Sequence, residues 1–436
     1  MSSLQHGSLN FNKSYSYNFK GGNLSSDSGL LLVRSFVEKL GLRPLLQDFF
    51  KDSTCRHHTY ASIIEQLIYT IIAGYQSDDA SDYLRHDPVF TGILDKDALA
   101  SQPTVSRCIN SLDDKAIEAF NRLLEILFEK ANPQRSTKYL VLDLDSTLFQ
   151  TFGKQEQSAY NFHYSACGYH PLMLFNGLNG DLMKMELRNG SIYTSNNIKD
   201  FLKPVLKWLD KTYPEAHVLV RADSGFATPQ LYDLCEECGV DFVIRLKSNA
   251  TLKKYSDETL CSFMDTYSCD YTKHHIMYEE FHYQAKSWQM PQRVICRVER
   301  AAGELLPRAT FITTTLKAEP KVIVKVYNKR GNMENFIKEA KIDFSMDSAG
   351  HSSFMANAVK SLIKALAYSI VNMMKRTVLP KDRKSSRMLS VRADLIKIAC
   401  KAATSARRTV FKLCSSSPFQ EIFCQIMQNI ENLRLT

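Results

Sequence analysis

The sequence predicts an α/β protein in which three antiparallel strands are extended by parallel ones. Three observations support this fold class. Apolar segments of strand length begin near residue 138, an Asn179-Gly180 pair joins two of them in the manner of a hairpin turn, and amphipathic helical segments precede the later strands. The 436 residues are 44% hydrophobic, which is enough for more than one buried core.

The strands are expected in the order β-β-β-α-β-α-β. The segments YLVLDLDSTL, YHPLMLFNGL and DLMKMELRN form the meander, and HVLVRAD and VDFVIRL follow after helices. Three meandering strands with parallel additions have the order of the RNase H-like (retroviral-integrase-like) fold. We predict that residues 136–250 form the first part of such a core. Residues 321–378, with the helix that carries Glu334, form the second part.

A mostly helical DNA-binding domain is predicted at residues 1–135. Apolar residues at helical spacing end at Gly41 and at Gly74, and Pro103 is a favoured first helical residue. The helix that begins at Pro103 fits a recognition helix with Arg107 facing DNA. It also fits a packing helix of an all-α domain, and the sequence leaves both interpretations open.

Two further regions have their own patterns. Residues 251–320 are rich in Tyr, Thr and His, and runs such as RVICRVER predict a separate β-rich insertion. Residues 379–436 predict a basic helical C-terminal region, in which SARRTVFKL starts a helix. Basic segments of this kind bind DNA phosphates, although a solvated helical face has the same composition.

The overall composition favours a polyanionic partner, because the net charge is +9. The eleven cysteines are irregularly spaced, and Cys235-x-x-Cys238 has no second pair nearby, so buried thiols are predicted instead of a zinc site. The N-terminal residues contain no apolar signal-like segment, and the longest apolar stretch, around Lys364, is too short to span a bilayer. We therefore predict a cytoplasmic protein with no membrane partner.

Acidic residues stand near the ends of two predicted strands. Asp143 and Asp145 share one face of the first strand, because side chains alternate along it, and Asp223 ends the fourth strand. The first and fourth strands are neighbours in the predicted fold, so the carboxylates meet at one edge. Carboxylate oxygens there can hold Mg²⁺. Asp143 and Asp145 both fit the role of first ligand.

A third acidic residue lies in VYNKRGNMENFIKEAKIDF. In a continuous helix, Tyr327, Arg330, Glu334 and Lys341 project at roughly 0°, 300°, 340° and 320°, because each residue turns the helix by about 100°. All four side chains then form one row beside an apolar face. A solvated charged face explains the Lys and the Glu, but it does not explain a single-faced row that starts with Tyr.

This spacing, Tyr-x2-Arg-x3-Glu-x6-Lys, resembles the signature of a large group of bacterial insertion-sequence transposases, the cut-and-paste DDE enzymes. Asp-Ser-Thr at 145–147 and Arg-Ala-Asp-Ser-Gly-Phe at 221–226 occur in the expected order. The stretch GKQEQSAYNFHYSACGYHPL is similar to one subgroup of that group. The resemblance covers roughly residues 20–410.

The resemblance implies that Asp145, Asp223 and Glu334 bind two Mg²⁺ ions, for which Mn²⁺ can substitute. It favours Asp145 over Asp143, because the resembled motif is Asp-x-Thr. It also implies a nucleoid-associated enzyme that binds double-stranded DNA at transposon terminal inverted repeats and acts as a homodimer in the synaptic complex.

For the DNA contacts, the resemblance implies that Tyr327, Arg330 and Lys341 bind the DNA backbone near the transposon end. The β-rich insertion would cover the cut end. An aromatic residue of that insertion would stack on a flipped base, and Trp288 is the candidate.

Two rival functions remain. LDLDSTL also fits the Asp-x-Asp-x-Thr loop of haloacid-dehalogenase-like phosphatases, in which Asp143 is the nucleophile and Asp145 the general acid/base. Such enzymes need a later acidic pair at a strand end, whereas Asp223 is followed by Ser-Gly-Phe. The other rival is a catalytically inactive DNA-binding relative.

Overall fold

Strands and helices occupy most of the chain. The computed structural model describes residues 6–51, 58–267, 270–405 and 408–435. The strands are β1 His6–Leu9, β2 Asn12–Asn18, β3 Leu24–Ser25, β4 Tyr139–Ser146, β5 Phe149–Gln150, β6 Ala159–Asn161, β7 Ala166–Tyr169, β8 Leu172–Asn176, β9 Asp181–Glu186, β10 His217–Ala222, β11 Asp241–Leu246, β12 His275–Tyr283, β13 Gln292–Arg300, β14 Arg308–Thr314, β15 Cys400–Ser405 and β16 Arg408–Leu413.

The helices lie mainly at the two ends of the chain and between the later strands. They are α1 Leu30–Leu40, α2 Leu42–Phe49, α3 Tyr60–Ala73, α4 Ala80–Tyr83, α5 Pro88–Leu94, α6 Gln102–Ser111, α7 Asp114–Ala131, α8 Ile198–Thr212, α9 Pro229–Glu237, α10 Ala250–Tyr267, α11 Pro320–Asn328, α12 Gly331–Phe344, α13 Phe354–Thr377, α14 Met388–Val391 and α15 Gln420–Asn432.

The chain divides into two units. One contains Met1–Leu123, Ile342–Met346 and Leu362–Thr436, and the other contains Leu124–Lys341 and Asp347–Ser361. The second unit is built on an eight-stranded mixed sheet with the strand order β12-β13-β14-β11-β10-β4-β8-β9. The mixed α/β architecture that the sequence predicts is therefore confirmed.

The five strands that the sequence predicts lie side by side in this sheet. β4, β8 and β9 pair antiparallel, and β10 and β11 add parallel to β4 in that order. The β8–β9 turn contains the predicted Asn179-Gly180 pair, and Gly180 has a φ of 76°, a value that favours glycine. In β4, Leu142 and Leu144 alternate with Asp143 and Asp145, so a slip by one residue would reverse the two faces of this strand.

Apolar side chains cover both faces of the sheet. Phe242 and Ile244 of β11 pack in the larger core, together with residues of α8, α9 and α10. Val243, between them, points to the opposite face, where it packs with Ile323 and Val324 of α11. Packing on both faces explains the consecutive apolar residues Val218–Val220 of β10 and Phe242–Ile244 of β11.

The expected separate β-rich insertion at 251–320 is wrong in two respects. Its first residues form the helix α10, which buries Leu252 and Phe263. Its strands β12, β13 and β14 extend the main sheet, because β14 pairs antiparallel with β11 from Val243–Thr314 to Leu246–Phe311. A free edge of β11 that offers unpaired N–H and C=O groups favours this pairing.

The first unit carries the predicted N-terminal helices. α1 ends at Gly41 and α3 at Gly74, both in the left-handed conformation, and α6 starts after Ser101 with Pro103 in its first turn. The C-terminal region is not wholly helical as expected. β15 and β16 pair antiparallel, and β15 also pairs with β3. The β-branched and aromatic residues of RTVFKL favour this strand over the predicted helix.

Two other expectations concern burial. The sequence predicts that the apolar stretch around Lys364 is too short to span a bilayer, but α13, which contains it, is long and apolar enough by length and composition. However, 89% of the most apolar 18-residue part of α13 is buried in the protein. Cys235 is buried and Cys238 half-buried, both as free thiols. Burial of this kind is typical of a core helix and of structural cysteines.

Candidate active site

Two neighbouring parallel strands place the first pair of carboxylates. In the β4–β10 register Ala222 lies opposite Leu144, so the next residues along the two strands are Asp145 and Asp223. Asp145 is the penultimate residue of β4, and Asp223 directly follows β10. The sequence prediction that these two aspartates meet at one edge of the sheet is consistent with this register.

Backbone groups hold both aspartates. Asp223 starts a short 3₁₀ turn, Ser224–Phe226, and its Oδ1 accepts a hydrogen bond of 2.9 Å from the N–H of Gly225. Asp145 Oδ1 accepts a 2.9 Å bond from the N–H of Ser146. Both carboxylates line one open cavity of about 540 Å³. We call this the active-site cavity.

Asp143 has a different environment from Asp145, although both were candidates. Its side chain is fully buried and receives two hydrogen bonds from Arg221, of 2.6 and 2.7 Å. A Cβ at Gly177 would stand 2.2 Å from Asp143 Oδ2 and 2.4 Å from the guanidinium of Arg221, so only glycine fits there. Asp143 does not line the active-site cavity. The geometry therefore favours Asp145 as the residue available to a ligand.

The predicted continuous helix through Tyr327 and Lys341 is wrong. The chain forms two helices, α11 up to Asn328 and α12 from Gly331, with a turn at residues 329–330. The N–H of Arg330 donates to Tyr327 O at 2.8 Å, and the N–H of Met333 donates to Arg330 O at 2.8 Å. Both hydrogen bonds join residues three apart, as in a turn and not as in an α-helix. Asn and Gly are poor helix formers, which explains the break. The four residues therefore do not share one helical stripe.

The turn gives Arg330 a central position. Its Nη2 donates to Asp145 Oδ2 at 2.8 Å, and its Nη1 lies 4.0 Å from Glu334 Oε1. Its Nε is buried and has no partner among the described residues. The guanidinium thus stands between the two carboxylates and retains one donor for a further acceptor.

Glu334 is the most accessible of the three acids. Its side chain is 72% exposed, whereas the side chain of Asp145 is 15% exposed. Within the ranges that the structure describes, no group of three or more His, Cys, Asp or Glu is close enough to hold a metal ion. The donor chemistry of the three carboxylates suits Mg²⁺. Only Asp145 and Asp223 share the cavity, and Glu334 is joined to Asp145 through Arg330.

The other members of the predicted row lie around this centre. Lys341 Nζ donates to Leu148 O at 2.9 Å and lies 3.7 Å from Asp347 Oδ2, so it holds the segment that follows β4. Tyr327 is half-buried at the end of α11, and burial raises the pKa of its hydroxyl. Neither side chain lines the active-site cavity.

Two predicted DNA contacts lie elsewhere. Trp288 is 9% exposed and packs edge-on against Tyr232 and Tyr283, at ring distances of 5.0 and 5.3 Å. This position in the apolar core does not fit the predicted stacking role. Arg107 lies in the first unit, exposed on α6, and donates to Thr104 Oγ1 at 3.1 Å. A surface position leaves it accessible to a partner.

Charge and burial act against each other at Asp145. Burial raises its pKa, Arg330 lowers it, and the neighbouring Asp223 raises it again, so that the pKa lies at about 6. Burial alone would lower the pKa of Arg330, but the facing carboxylates raise it. Mutual repulsion between two carboxylates in one cavity is the condition that a bound cation relieves.

This shift predicts a pH dependence of stability. Between its ordinary value near 3.8 and about 6, Asp145 binds a proton in the folded protein but not in the unfolded chain. The resulting stabilisation is present at low pH and is lost as the pH rises through about 6. In metal-free buffer we expect the stability of wild type relative to Asp145→Asn to fall between pH 4 and 7. This difference in the free energy of unfolding should fall by up to about 1.4 kcal/mol per pH unit. The free energy of unfolding of both proteins is measured in denaturant at each pH. If it changes equally with pH in wild type and in Asp145→Asn, the prediction is contradicted.

Sequence reasoning missed one part of the site. Tyr160, Phe162, His163 and Tyr164 line the active-site cavity beside Asp145. The signal was present, because these residues belong to the stretch GKQEQSAYNFHYSACGYHPL, which drew attention only as a subgroup resemblance. Their spacing does not reveal the cavity, because Tyr160 lies in β6 and the other three lie in the tight turn that follows it.

Comparison with known proteins defines the class. A family model described as transposase DDE domain group 1 matches residues 8–435, nearly the whole chain. The chain belongs to this family and is a DDE transposase. No curated protein sequence matches it. Among solved structures, it is similar to the cryo-EM structure of a piggyBac transposase synaptic complex with hairpin DNA. The identity is 15% and the TM-score 0.43, over 85% of this chain and 80% of that chain.

Proposed function

We propose that this transposase cuts and rejoins the ends of an insertion sequence by two-metal phosphoryl transfer, with Asp145, Asp223 and Glu334 as ligands. The observation that carries the proposal is the convergence of Asp145 and Asp223 on one cavity, with Glu334 joined to Asp145 by Arg330. The strand order β9-β8-β4-β10-β11 supports an RNase H-like core for this chemistry.

The three carboxylates would hold two Mg²⁺ ions, for which Mn²⁺ can substitute. Bound there, the metal supplies an activated nucleophile and stabilises the leaving oxygen in an in-line displacement. Asp145 and Asp223 are fixed by backbone N–H donors, so they form the rigid half of the ligand set. Glu334 is exposed and completes the set from α12.

Arg330 connects metal binding to DNA binding. Its guanidinium neutralises Asp145 in the protein alone. With a divalent cation held by Asp145, Arg330 would no longer be needed to neutralise that carboxylate, and its donors would be available to DNA. Because its Nε has no partner in the part of the chain that the structure describes, Arg330 is suited to a DNA phosphate. Lys341 and Tyr327, on either side of Glu334 in sequence, would bind the backbone of the same DNA end.

The remaining parts of the proposal concern the partner. The substrate is double-stranded DNA with terminal inverted repeats, bound by a homodimer in a synaptic complex in the cytoplasm, at the nucleoid. The exposed position of Arg107 on α6 supports a DNA contact in the first unit. The net charge of +9 supports a polyanionic partner in general.

The phosphatase alternative has weaker support. It requires Asp143 as a free nucleophile, whereas Asp143 is buried and bound through both oxygens to Arg221. Asp143 also does not line the active-site cavity, so it is not presented to a substrate there. The geometry thus favours strand transfer over phosphomonoester hydrolysis.

The test uses the full chain and DNA taken from both sides of its coding region. With Mg²⁺ we expect strand cleavage at the terminal repeats, and Asp223→Asn should reduce the rate at least about 10³-fold, because loss of a metal ligand removes several kcal/mol of transition-state stabilisation. Binding without nicking in Mg²⁺ or Mn²⁺ would identify an inactive relative. Release of phosphate from a phosphomonoester would favour the phosphatase.

A further inference from the structure

A small sheet of the first unit carries cations on one face. β16, β15 and β3 form this three-stranded sheet. β15 and β16 pair antiparallel from Cys400 opposite Leu413 to Ser405 opposite Arg408, whereas β3 pairs only with the first two residues of β15. Most of this sheet is therefore a two-stranded antiparallel ribbon. We call the pair β15 and β16 the ribbon.

The inner face of the ribbon packs against the helices of its unit. Cys400 is 3% exposed and Ala402 is 9% exposed. Phe411, which lies opposite Ala402, is half-buried, and a Cβ at Gly92 of α5 would stand 2.9 Å from its ring. Because side chains alternate along a strand, the residues between these point to the other, outer face.

The outer face is basic at both ends of the ribbon. Lys401 lies directly opposite Lys412, and both side chains are exposed. Val410 and Arg408 follow on β16 and are exposed as well. In order along the ribbon, the cross-strand pairs of the outer face are Lys401 with Lys412, Ala403 with Val410, and Ser405 with Arg408.

The sheet itself does not neutralise these cations. Two like charges directly opposite each other on neighbouring strands destabilise a sheet. None of its three strands contains Asp or Glu, and the sequence has no acidic residue between Asp394 and Glu421. The repulsion between Lys401 and Lys412 is relieved when an anion binds between or beside them.

The shape of the ribbon selects the kind of anion. The major groove of DNA is about 12 Å wide and admits a two-stranded β-ribbon. Neighbouring strands lie about 4.8 Å apart, so a long lysine side chain on each strand can reach toward one wall of such a groove. The small side chains of Ala403 and Ser405 let the backbone of β15 approach the base pairs closely.

The side chains of the outer face suit phosphates better than bases. The face has no Asn, Gln, Asp or Glu, the side chains that distinguish the edges of adenine and cytosine. Its cations bind phosphates of any sequence. A second copy of the chain does not fit this face, because symmetric docking would bring the same lysines together.

We propose that the outer face of the ribbon lies in the major groove of duplex DNA and binds its phosphates independently of base sequence, with Lys401 and Lys412 on opposite strands. This inference rests on the proposed function, which supplies duplex DNA as the substrate. The basic helix predicted for this region presents cations along one element, whereas the ribbon presents them on two paired strands.

The experiment measures the salt dependence of DNA binding. Full-length wild type and Lys401→Ala/Lys412→Ala are titrated in metal-free buffer, at salt concentrations from about 50 to about 200 mM. Two duplexes of equal length are used, one with the terminal repeat and one with a scrambled sequence. Lys207→Ala/Lys253→Ala is the matched control, because it removes two exposed helical lysines of the other unit.

Each phosphate contact contributes about 0.9 to the slope of log K against log salt, so the double variant should lose about 1.8 of that slope. Over the fourfold range of salt, binding by the double variant should then weaken about tenfold less than binding by wild type. The change should be the same on both duplexes, because no base is read. The control should keep the wild-type slope.

Lys412→Glu separates DNA binding from folding. The new carboxylate lies opposite Lys401, so an attractive cross-strand pair replaces a repulsive one, and the thermal unfolding temperature should not fall. DNA binding should nevertheless be weaker than in Lys412→Ala, because the carboxylate repels phosphates. A lower unfolding temperature together with unchanged DNA binding would contradict the assignment.

Dimethyl sulfate tests the groove, because guanine N7 lies in the major groove and adenine N3 in the minor groove. On the terminal repeat at saturating protein, wild type should protect a guanine N7 that Lys401→Ala/Lys412→Ala leaves reactive. Loss of protection at adenine N3 alone would overturn the proposed groove.

An unchanged salt slope in Lys401→Ala/Lys412→Ala would overturn the proposal and leave the ribbon as a solvated face. A change confined to the terminal repeat would overturn it as well, since it would indicate base recognition, and so would an equal change in the control. If wild type cuts DNA and the slope is unchanged, only this inference fails. If the slope changes as expected but wild type cuts no DNA in Mg²⁺, the proposed function fails and the ribbon assignment stands.

Discussion

Glu334→Gln is expected to abolish cleavage of DNA ends while folding and DNA binding stay as in wild type. The amide has the size of the carboxylate but lacks the negative charge that a divalent cation requires. The side chain is 72% exposed, so the change leaves the core intact. The metal contributes several kcal/mol of transition-state stabilisation, so the single-turnover rate should fall at least about 10³-fold.

The measurement pairs single-turnover cleavage of a labelled terminal repeat with a binding titration of the same duplex. Glu258→Gln is the matched control, because Glu258 is an exposed helical glutamate of the same unit. Cleavage within tenfold of wild type in Glu334→Gln would remove this residue from the metal site. Loss of binding together with cleavage would instead assign it to DNA contact.

Arg330 contacts both Asp145 and Glu334 in the protein alone. In the protein alone, Arg330 donates to Asp145 Oδ2, and its Nη1 lies 4.0 Å from Glu334 Oε1. Arg330 would compete with a divalent cation for Asp145. If Glu334 is a ligand, Glu334→Gln should weaken Mn²⁺ binding by the purified protein, an effect that does not depend on DNA.

Much of the sheet follows from local sequence signals. The apolar alternation in YLVLDLDSTL fixes which face of β4 carries Asp145, and Asn179-Gly180 fixes the β8–β9 hairpin. Gly74 ends α3 where the apolar spacing ends, in the left-handed conformation. These signals act within a few residues of the chain, so a single sequence contains them.

Other features depend on partners far away in sequence. β15 pairs with β3, with Cys400 opposite Ser25, and no pattern in either segment identifies the other. The strands β12 to β14 join the main sheet through an edge of β11 that the sequence does not mark as free. Pairing between strands distant in sequence therefore determines that β12 to β14 extend the main sheet instead of forming a second one.

The candidate site shows the same division. Asp145 and Asp223 were predictable, because strand order brings the ends of neighbouring strands together. The position of Arg330 was not, because a helix break at residues 329–330 redirects its side chain, and periodicity alone assumes an unbroken helix. The motif residues stay a prediction, whereas the single helical row predicted for them is wrong.

Asp143→Ala is expected to destabilise the fold severely. Asp143 is fully buried and bonds through both carboxylate oxygens to Arg221, whose side chain is 2% exposed. The substitution leaves the guanidinium of Arg221 buried with its charge uncompensated. Removal of one partner of a buried ion pair costs about 3–5 kcal/mol, which should appear as a lower free energy of unfolding in urea.

The double variant Asp143→Leu/Arg221→Met separates pairing from packing. Replacement of both charges by apolar groups is often neutral, so most of the lost stability should return. Glu237→Ala, which breaks the exposed Lys203–Glu237 pair, is the control and should leave stability unchanged.

If Asp143→Ala instead unfolds like wild type but cuts no DNA, Asp143 is the first metal ligand in place of Asp145. In that case the buried pair with Arg221 must open during catalysis, and Asp145→Asn should retain cleavage.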